Sequence, residues 1–370
     1  MVAHPICGNG EVVMATQETQ PDQSAIEAAT MQMVGYLTGA ALSAGVMLGS
    51  KLGYYKSLAE SGPLTAKELA ERAGANERIT REWLDGQAAG KILTYNASDD
   101  TYDLDAASAM VFANEDSPVY HADGIGVIRA MFTDVDHIRD AARGDGGFAW
   151  SDHEECLFRG TGRFFRPGYL NHLTPEWIPS IDGLEDKLNA GANVLDVGCG
   201  VGYSSVMIAE AYPNATVKGI DYHAGSIDLA RENARSSSAA DRVSFDVASA
   251  TTYHGTYDLI CFFDCLHDLG DPVGAAQQAR NHLADDGIVM MVEPWALDGR
   301  AANIDAPFAP LFYSASTFLC VPNSLSQETG RALGAQSGEA QMRAVFEEAG
   351  FGSFNRTIET PFNIVYAGRP

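Results

Sequence analysis

The sequence predicts an α/β protein: a largely parallel sheet with helices on both faces, behind a smaller, mainly helical N-terminal domain. Three observations predict it. From residue 192 onward, apolar runs at 193–197, 216–220, 243–245, 259–263 and 288–292 alternate with stretches of helical period. The first run passes directly into Gly198-Cys199-Gly200-Val201-Gly202, and a helical stretch at 204–211 follows. The first half of the chain is instead helix-patterned, with one short hairpin signal around Asn96-Ala97-Ser98-Asp99-Asp100.

The 370 residues are 46% hydrophobic, enough for two or three domains with cores of their own, which excludes a disordered chain. Lys and Arg total 24 against 49 Asp and Glu, a formal net charge of −25. Such a chain repels phosphate backbones and anionic lipid, so neither nucleic-acid nor membrane-surface binding is expected. The six cysteines (Cys7, Cys156, Cys199, Cys261, Cys265, Cys320) form no CxxC pair and no cluster of zinc-ligand spacing. Reduced thiols point to the cytoplasm, and so does a start, MVAHPICGNGEVV, without the basic-then-apolar order of a secretion signal.

Residues 1–20 read as an extension, and 21–52 as a helix. Residues 28–50 carry no charge and could span a bilayer by length. Gln32, Thr30, Thr38, Ser43 and four glycines, with no basic cluster beside them, favour a buried helix instead. Gly35-xxx-Gly39 and Gly45-xxx-Gly49 put small residues on one face, for core packing or for a helix pair across a dimer interface. Residues 53–105 read as a winged helix. Thr65 and Glu68 form a capping box, Gly74 ends that helix, and Ile79, Trp83, Leu84 and Ala88 give the next helix a core face. Residues 92–95 and 101–104 are the wing. A groove-reading helix needs a basic surplus, but Arg78 and Arg81 are outnumbered by Glu77, Glu82 and Asp85. Dimerisation or covering a substrate fits this domain better than DNA binding. Residues 106–185 are a helical linker and lid, interrupted at Arg143-Gly144-Asp145-Gly146-Gly147.

Gly198, Gly200 and Gly202 sit where a strand meets a helix, so the backbone can pass close under a ligand with its amides available. Asp221 ends the next strand, where an acidic residue holds ribose hydroxyls. A dinucleotide site would want G-x-G-x-x-G, whereas here the third position of that pattern is Tyr203. Asp196, just before the glycines, suits a ligand with an ammonium-bearing amino-acid tail, namely S-adenosylmethionine.

VLDVGCGVG, GIDYH, YDLICFFDCLHDLGDP and MMVEP resemble the successive motifs of class I S-adenosylmethionine-dependent methyltransferases. REWLDGQAAGKILTY, YSASTFLCVPNSLSQETGRALGAQSGE and ETPFNIVYAGRP resemble a mycobacterial and marine group of these with an N-terminal winged helix, over residues 25–370. Plant-type O-methyltransferases are similar at a greater distance. The resemblance implies a Rossmann-like catalytic domain at 186–370, a dimerisation domain at 21–105, a small-molecule acceptor and a homodimer. It implies that Gly198, Gly200 and Gly202 lie under the methionine portion with Asp196 nearby, that Asp221 holds the ribose, and that Tyr222 packs on the adenine. Ala248 and Ser249 stand at its adenine contact, although many members are acidic at Ser249, so Asp246 is an alternative. Phe263 and Asp264 would line the methyl side.

Cys265-Leu266-His267-Asp268 resembles the segment in which the plant enzymes place a histidine that deprotonates the acceptor. The cofactor's methyl is already activated, so the enzyme aligns the nucleophile and, for a hydroxyl, removes its proton. His267 is therefore the candidate base, with a pocket wall as the alternative; a thioether acceptor needs no base, and S- or N-methylation competes with O-methylation. Trp150, Phe164 and Tyr169, with Phe148 and Phe165, are candidate substrate aromatics or lid packing. Arg163 and Arg166 are candidate carboxylate clamps or ion-paired surface, and Glu293, Tyr313 and Glu328 are candidate substrate contacts. His153-Glu154-Glu155-Cys156 has metal-site residue types, but adjacent glutamates read as surface and no metal is expected. Two other functions remain open: a winged-helix regulator sensing the cofactor, and a silent cofactor-binding module.

Overall fold

The computed structural model describes residues 22–370; the expected extension at 1–20 and Cys7 lie outside the described residues. The chain opens with helix α1 (Gln23–Leu52), closed by Gly53 at φ 67°, whose amide turns back to the Gly49 and Ser50 carbonyls. Helices α2 (Tyr54–Ser61), α3 (Ala66–Ala73) and α4 (Glu77–Ala89) follow. Strands β1 (Thr94–Asn96) and β2 (Thr101–Asp103) then pair antiparallel as a wing. The Thr65–Glu68 capping box starts α3, and Gly74 at φ 61° stops it. Trp83 of α4 wedges between α1 and α2, tilted against Tyr54 and edge-on to Tyr55, and its indole N–H donates to the Gly45 carbonyl at 2.7 Å. Gly49 is small for the same reason: a Cβ there would lie 2.3 Å from the Trp83 ring.

The structure corrects the expectation of a buried α1. Among the described residues only Val46 and Gly49 of this helix are buried. Met31, Met33, Val34, Tyr36 and Leu37 are exposed, and Gly35 and Gly39 have nothing within 4 Å of a built Cβ. The second glycine pair thus serves packing inside the chain, whereas the first faces outward.

Seven strands form the second sheet, in the order β5-β4-β3-β6-β7-β9-β8. They are β3 (Asn193–Val197), β4 (Thr216–Asp221), β5 (Val243–Val247), β6 (Tyr257–Phe263), β7 (Leu283–Pro294), β8 (Ser353–Glu359) and β9 (Asn363–Arg369). The first five run parallel, and β9 inserts antiparallel between β7 and β8. Both faces are buried, as a parallel sheet flanked by helices requires. Val194, Leu259, Met290 and Val365 meet Leu173, Trp177, Leu188 and Ile208 on one side. Leu195, Ile260, Phe262 and Met291 meet Ala276, Val345 and Phe346 on the other. Because β3 is flanked by β4 and β6, whose crossovers run to opposite sides, its carboxyl end opens a cleft, the usual ligand position in such sheets.

The segment between the two units supplies the cover. Helices Ile125–Thr133 and Glu155–Gly168 touch through Gly126 and Gly160, where a Cβ on Gly160 would fall 2.8 Å from the Gly126 backbone. That close contact sets Trp150, Thr161 and Phe165 over the carboxyl edge of the sheet, where they line a cavity with Gly198, Gly200 and Asp264.

Candidate active site

Two adjoining cavities lie at this edge. One, of about 120 Å³, is lined by Gly198, Gly200, Tyr203, Asp221, Tyr222, Phe263, Asp264 and Tyr169. The other, of about 220 Å³, is lined by Phe164, Met131, Ile128, Phe312, His267 and Cys320 and is almost wholly apolar. Trp150, Thr161, Phe165, Asp264 and Asp268 line both.

The glycines make the first cavity in a way that departs from expectation. Gly198, Gly200 and Gly202 all have positive φ (70°, 53° and 80°), as a sharp strand-to-helix turn requires. Their amides are not held open for a ligand. Gly198 and Cys199 donate to the Ile220 carbonyl at 2.8 and 3.0 Å, Gly202 to the Cys199 carbonyl at 2.9 Å, and Gly200 to the Asp221 carboxylate at 3.1 Å. Only Gly200 faces open space; a Cβ on Gly202 would lie 2.7 Å from Phe245. The contribution of Gly202 is helix packing, which corrects its placement under a ligand.

The loop is bordered by carboxylates: Asp196 and Asp221 have no basic partner among the described residues, whereas Asp264 and Asp268 have His267 nearby. Asp196 is buried; the Ser204 and Ser205 hydroxyls both donate to its Oδ2 at 2.6 Å, and its Oδ1 has no partner. Asp221 accepts from the Gly200 and His223 amides, the latter at 2.8 Å. Burial pushes both up to about 6, against the pull of those hydrogen bonds. Asp264 sits at φ 50°, a conformation that non-glycine residues seldom hold, with Oδ1 accepting from Asn363 at 2.8 Å and Oδ2 unpartnered. Burial raises Asp264 strongly and Asp268 to about 7. A buried carboxylate without a counterion is costly. Asp264, with its orphaned oxygen, and Asp221 line the first cavity and therefore fit a cationic ligand such as a sulfonium, whereas Asp196 lies buried behind Ser204 and Ser205 and lines neither cavity.

His267 stands at the wall of the apolar cavity, on the short turn Leu266–Asp268 after β6. Its Nδ1 pairs with the Glu293 carboxylate at the end of β7, whose other oxygen accepts the Leu266 amide at 3.1 Å. Burial pulls the imidazole down, but Glu293 and Cys320 push it up by more, so it lies well above the usual histidine value. Glu293, expected as a substrate contact, is instead turned onto His267.

Other expectations are redistributed. Trp150, Phe164 and Tyr169 line the cavities as expected candidates, Tyr169 beneath Phe263 in the first. Arg163 pairs with Glu115 at 2.7 Å and lines a separate cavity with Lys51 and Arg129, so it clamps no ligand of these two; Arg166 pairs with Asp116. Tyr313 and Glu328 line neither cavity, for the helix Ala309–Ala315 turns Leu311, Phe312 and Ala315 inward. Ala248 donates its amide to the Asp221 carbonyl at 3.0 Å, but neither it nor exposed Ser249 lines the cavity; Ser249 pairs with Thr251 and Asp246 with Lys218. His153 is held by Asp134 at 2.6 Å.

Three residues were not assigned from sequence. Asn323 accepts from the Tyr222 hydroxyl and the Trp150 amide at 2.9 and 3.0 Å and donates to the Asp268 carbonyl at 3.1 Å, tying both walls together. Asp268 adjoins His267 in the motif, so position alone could have marked it. Cys320 had no such signal.

A family model described as a methyltransferase domain matches residues 188–350, and one described as an Rv2258c-like winged HTH domain matches residues 40–114. Among curated relatives, the methyltransferase GfsG of Streptomyces halstedii is 33% identical over 133 residues, 35% of this chain and 39% of that protein. The chain spans between 22% and 39% of the length of the curated relatives it first matches. Two solved structures share the whole fold. A putative O-methyltransferase from Nostoc punctiforme covers 95% of this chain and is itself covered 100%, with a TM-score of 0.67 at 20% identity. Human N-acetylserotonin methyltransferase, solved with S-adenosylmethionine, covers 95% and is covered 99%, with a TM-score of 0.68 at 18% identity.

Proposed function

We propose that this chain, which matches a methyltransferase domain behind a winged HTH domain, uses S-adenosylmethionine to methylate a hydroxyl of a small, largely apolar molecule, with His267 as general base. The observation that carries the reading is the junction of the two cavities. A carboxylate-edged space suited to a cation meets an apolar one at Asp264 and Asp268, with His267 beside the junction.

When bound, S-adenosylmethionine supplies an electrophilic methyl on a sulfonium. Asp221 would hold its ribose hydroxyls, Asp264 would face the sulfonium side, and buried Asp196 would lend its charge to the ammonium from behind Ser204 and Ser205. Phe164, Met131 and Phe312 would bury the acceptor and exclude water, which strengthens every charge interaction nearby. His267 Nε2 would take the hydroxyl proton, while Glu293 keeps the Nδ1 hydrogen and stabilises the imidazolium. An amine or thioether acceptor would leave His267 without that task.

The reading includes a homodimer built on the exposed first half of α1, where Gly35 and Gly39 leave room for a second helix. It also includes a cytoplasmic setting, in keeping with five free cysteines among the described residues. The regulator alternative is disfavoured by α4, whose Arg78 and Arg81 are engaged by Glu82, Glu77 and Asp100.

The test is methyl transfer to a panel of small phenols and alcohols by wild type and His267→Ala. Loss of roughly 10²–10⁴-fold with cofactor binding intact supports the base. An equal rate at every pH assigns His267 to the pocket wall, and no transfer to any hydroxyl with cofactor binding intact favours an N or S acceptor.

A further inference from the structure

Opposite Glu293, the second nitrogen of His267 faces two further donors that methyl transfer does not use. His267, Asp268 and Cys320 each offer one ligand atom, and these atoms lie within 4.8 Å of one another. His267 and Cys320 are buried, and Asp268 is partly so.

The three are held in place from both sides. Cys320 closes the wide turn Ser316–Cys320, and the segment after it is stitched to the His267 turn. Asn323 donates to the Asp268 carbonyl, Ser324 to the Leu269 carbonyl at 2.8 Å, and the Gly334 amide to the His267 carbonyl at 3.1 Å. Behind the imidazole, Glu293 occupies Nδ1 and leaves Nε2 as the ring nitrogen that meets Cys320. A carboxylate holding the far nitrogen of a ligating histidine is the usual outer partner in zinc sites, because it fixes the ring and raises its basicity.

We propose that His267 Nε2, Cys320 Sγ and an Asp268 oxygen form a site for one thiophilic divalent cation of the zinc class. The donor set is one nitrogen, one sulfur and one oxygen, which suits zinc and disfavours magnesium or calcium. Binding releases the Cys320 thiol proton and the Nε2 proton of the imidazolium to solvent and forms metal–thiolate and metal–imidazole bonds, with no change of oxidation state. Thiolate and carboxylate together balance the dication, and the fourth position opens on the apolar cavity. The metal takes the same lone pair that the proposed base needs, so a loaded protein cannot use His267 to remove a proton. That consequence rests on the methyl-transfer reading; metal binding itself does not.

Sequence spacing gave no hint of this site, because Cys320 lies in the insertion after β7, far along the chain from His267. The direct test is titration of the metal-free full chain with cobalt(II), followed by displacement with zinc. The expected result is one equivalent bound, with a sulfur-to-cobalt charge-transfer band that Cys320→Ser abolishes and an affinity at least tenfold weaker in Asp268→Asn. Thermal unfolding of each variant checks that it is folded, and Cys156→Ser, away from both cavities, should keep the band. Absence of the band in wild type, or its persistence in folded Cys320→Ser, overturns the proposal. Calorimetric binding of S-adenosylhomocysteine by the same samples reports separately on the methyltransferase reading.

Discussion

Glu293 grips His267 from behind: its carboxylate pairs with Nδ1 while its second oxygen holds the Leu266 amide, fixing both the ring and the turn that carries it. The pair joins the ends of two neighbouring parallel strands, so sheet register sets its geometry. The other imidazole nitrogen is thereby turned toward the apolar cavity.

This pairing makes a pH prediction. Burial lowers the His267 pKa but Glu293 and Cys320 raise it by more, so the imidazole becomes a base only at higher pH than an ordinary histidine. The wild-type rate should climb from neutral into alkaline pH. Glu293→Gln removes the carboxylate that raises the pKa, so the climb should move to lower pH. The plateau should also fall, as the ring loses its orientation. Rate profiles of the two proteins check this; coincident profiles count against the pair.

The carboxylates around the glycine turn predict a second dependence. Asp196 and Asp221 are raised to about 6 from 3.8, so each favours the unliganded fold below about pH 4, and that contribution is lost as pH rises through about 6. A bound cation reverses the cost of ionisation. The rise in Tm produced by S-adenosylmethionine should therefore be larger at pH 7 than at pH 5, read by scanning calorimetry at fixed ligand concentration.

Helix α1 separates two uses of the same small-residue pattern. Gly49→Ala puts a methyl against Trp83 and should destabilise the N-terminal unit by about 1–3 kcal/mol without altering association. At Gly39 a Cβ has no described residue within 4 Å, so Gly39→Leu should leave Tm near wild type yet weaken the proposed dimer. Sedimentation velocity and thermal melts distinguish the two.

The winged helix should not bind DNA. With its arginines paired to carboxylates on an acidic protein, no shift is expected in a low-salt gel with genomic fragments, where electrostatic binding is easiest. A shift that salt abolishes would favour the regulator.

Much of this architecture is legible in the sequence where the determinants are local. The five parallel strands, the Thr65–Glu68 capping box, the sharp turn at Gly198 and Gly200 and the placement of Asp221 all follow from residues within one or two elements. What escapes is non-local. Cys320 meets His267 only through the folding of the insertion, and Asn323 joins Tyr222, Trp150 and Asp268 across three segments. Glu293 and Arg163 were visible as charged residues near the cleft, but their pairing with His267 and Glu115 depends on neighbours that spacing does not reveal. The glycine amides mislead for the same reason: the adjacent strand β4 satisfies those of Gly198 and Gly200, and the Cys199 carbonyl that of Gly202, before any ligand can.

The central claim is that the carboxylate-edged cavity at the end of β3 and β4 is the S-adenosylmethionine site. Calorimetric titration of wild type and Asp221→Ala with S-adenosylhomocysteine tests it most directly. Micromolar binding by wild type, weakened tenfold or more in the variant (about 1.4 kcal/mol), is the predicted result. No binding by wild type, or equal binding by a folded Asp221→Ala, would contradict the account.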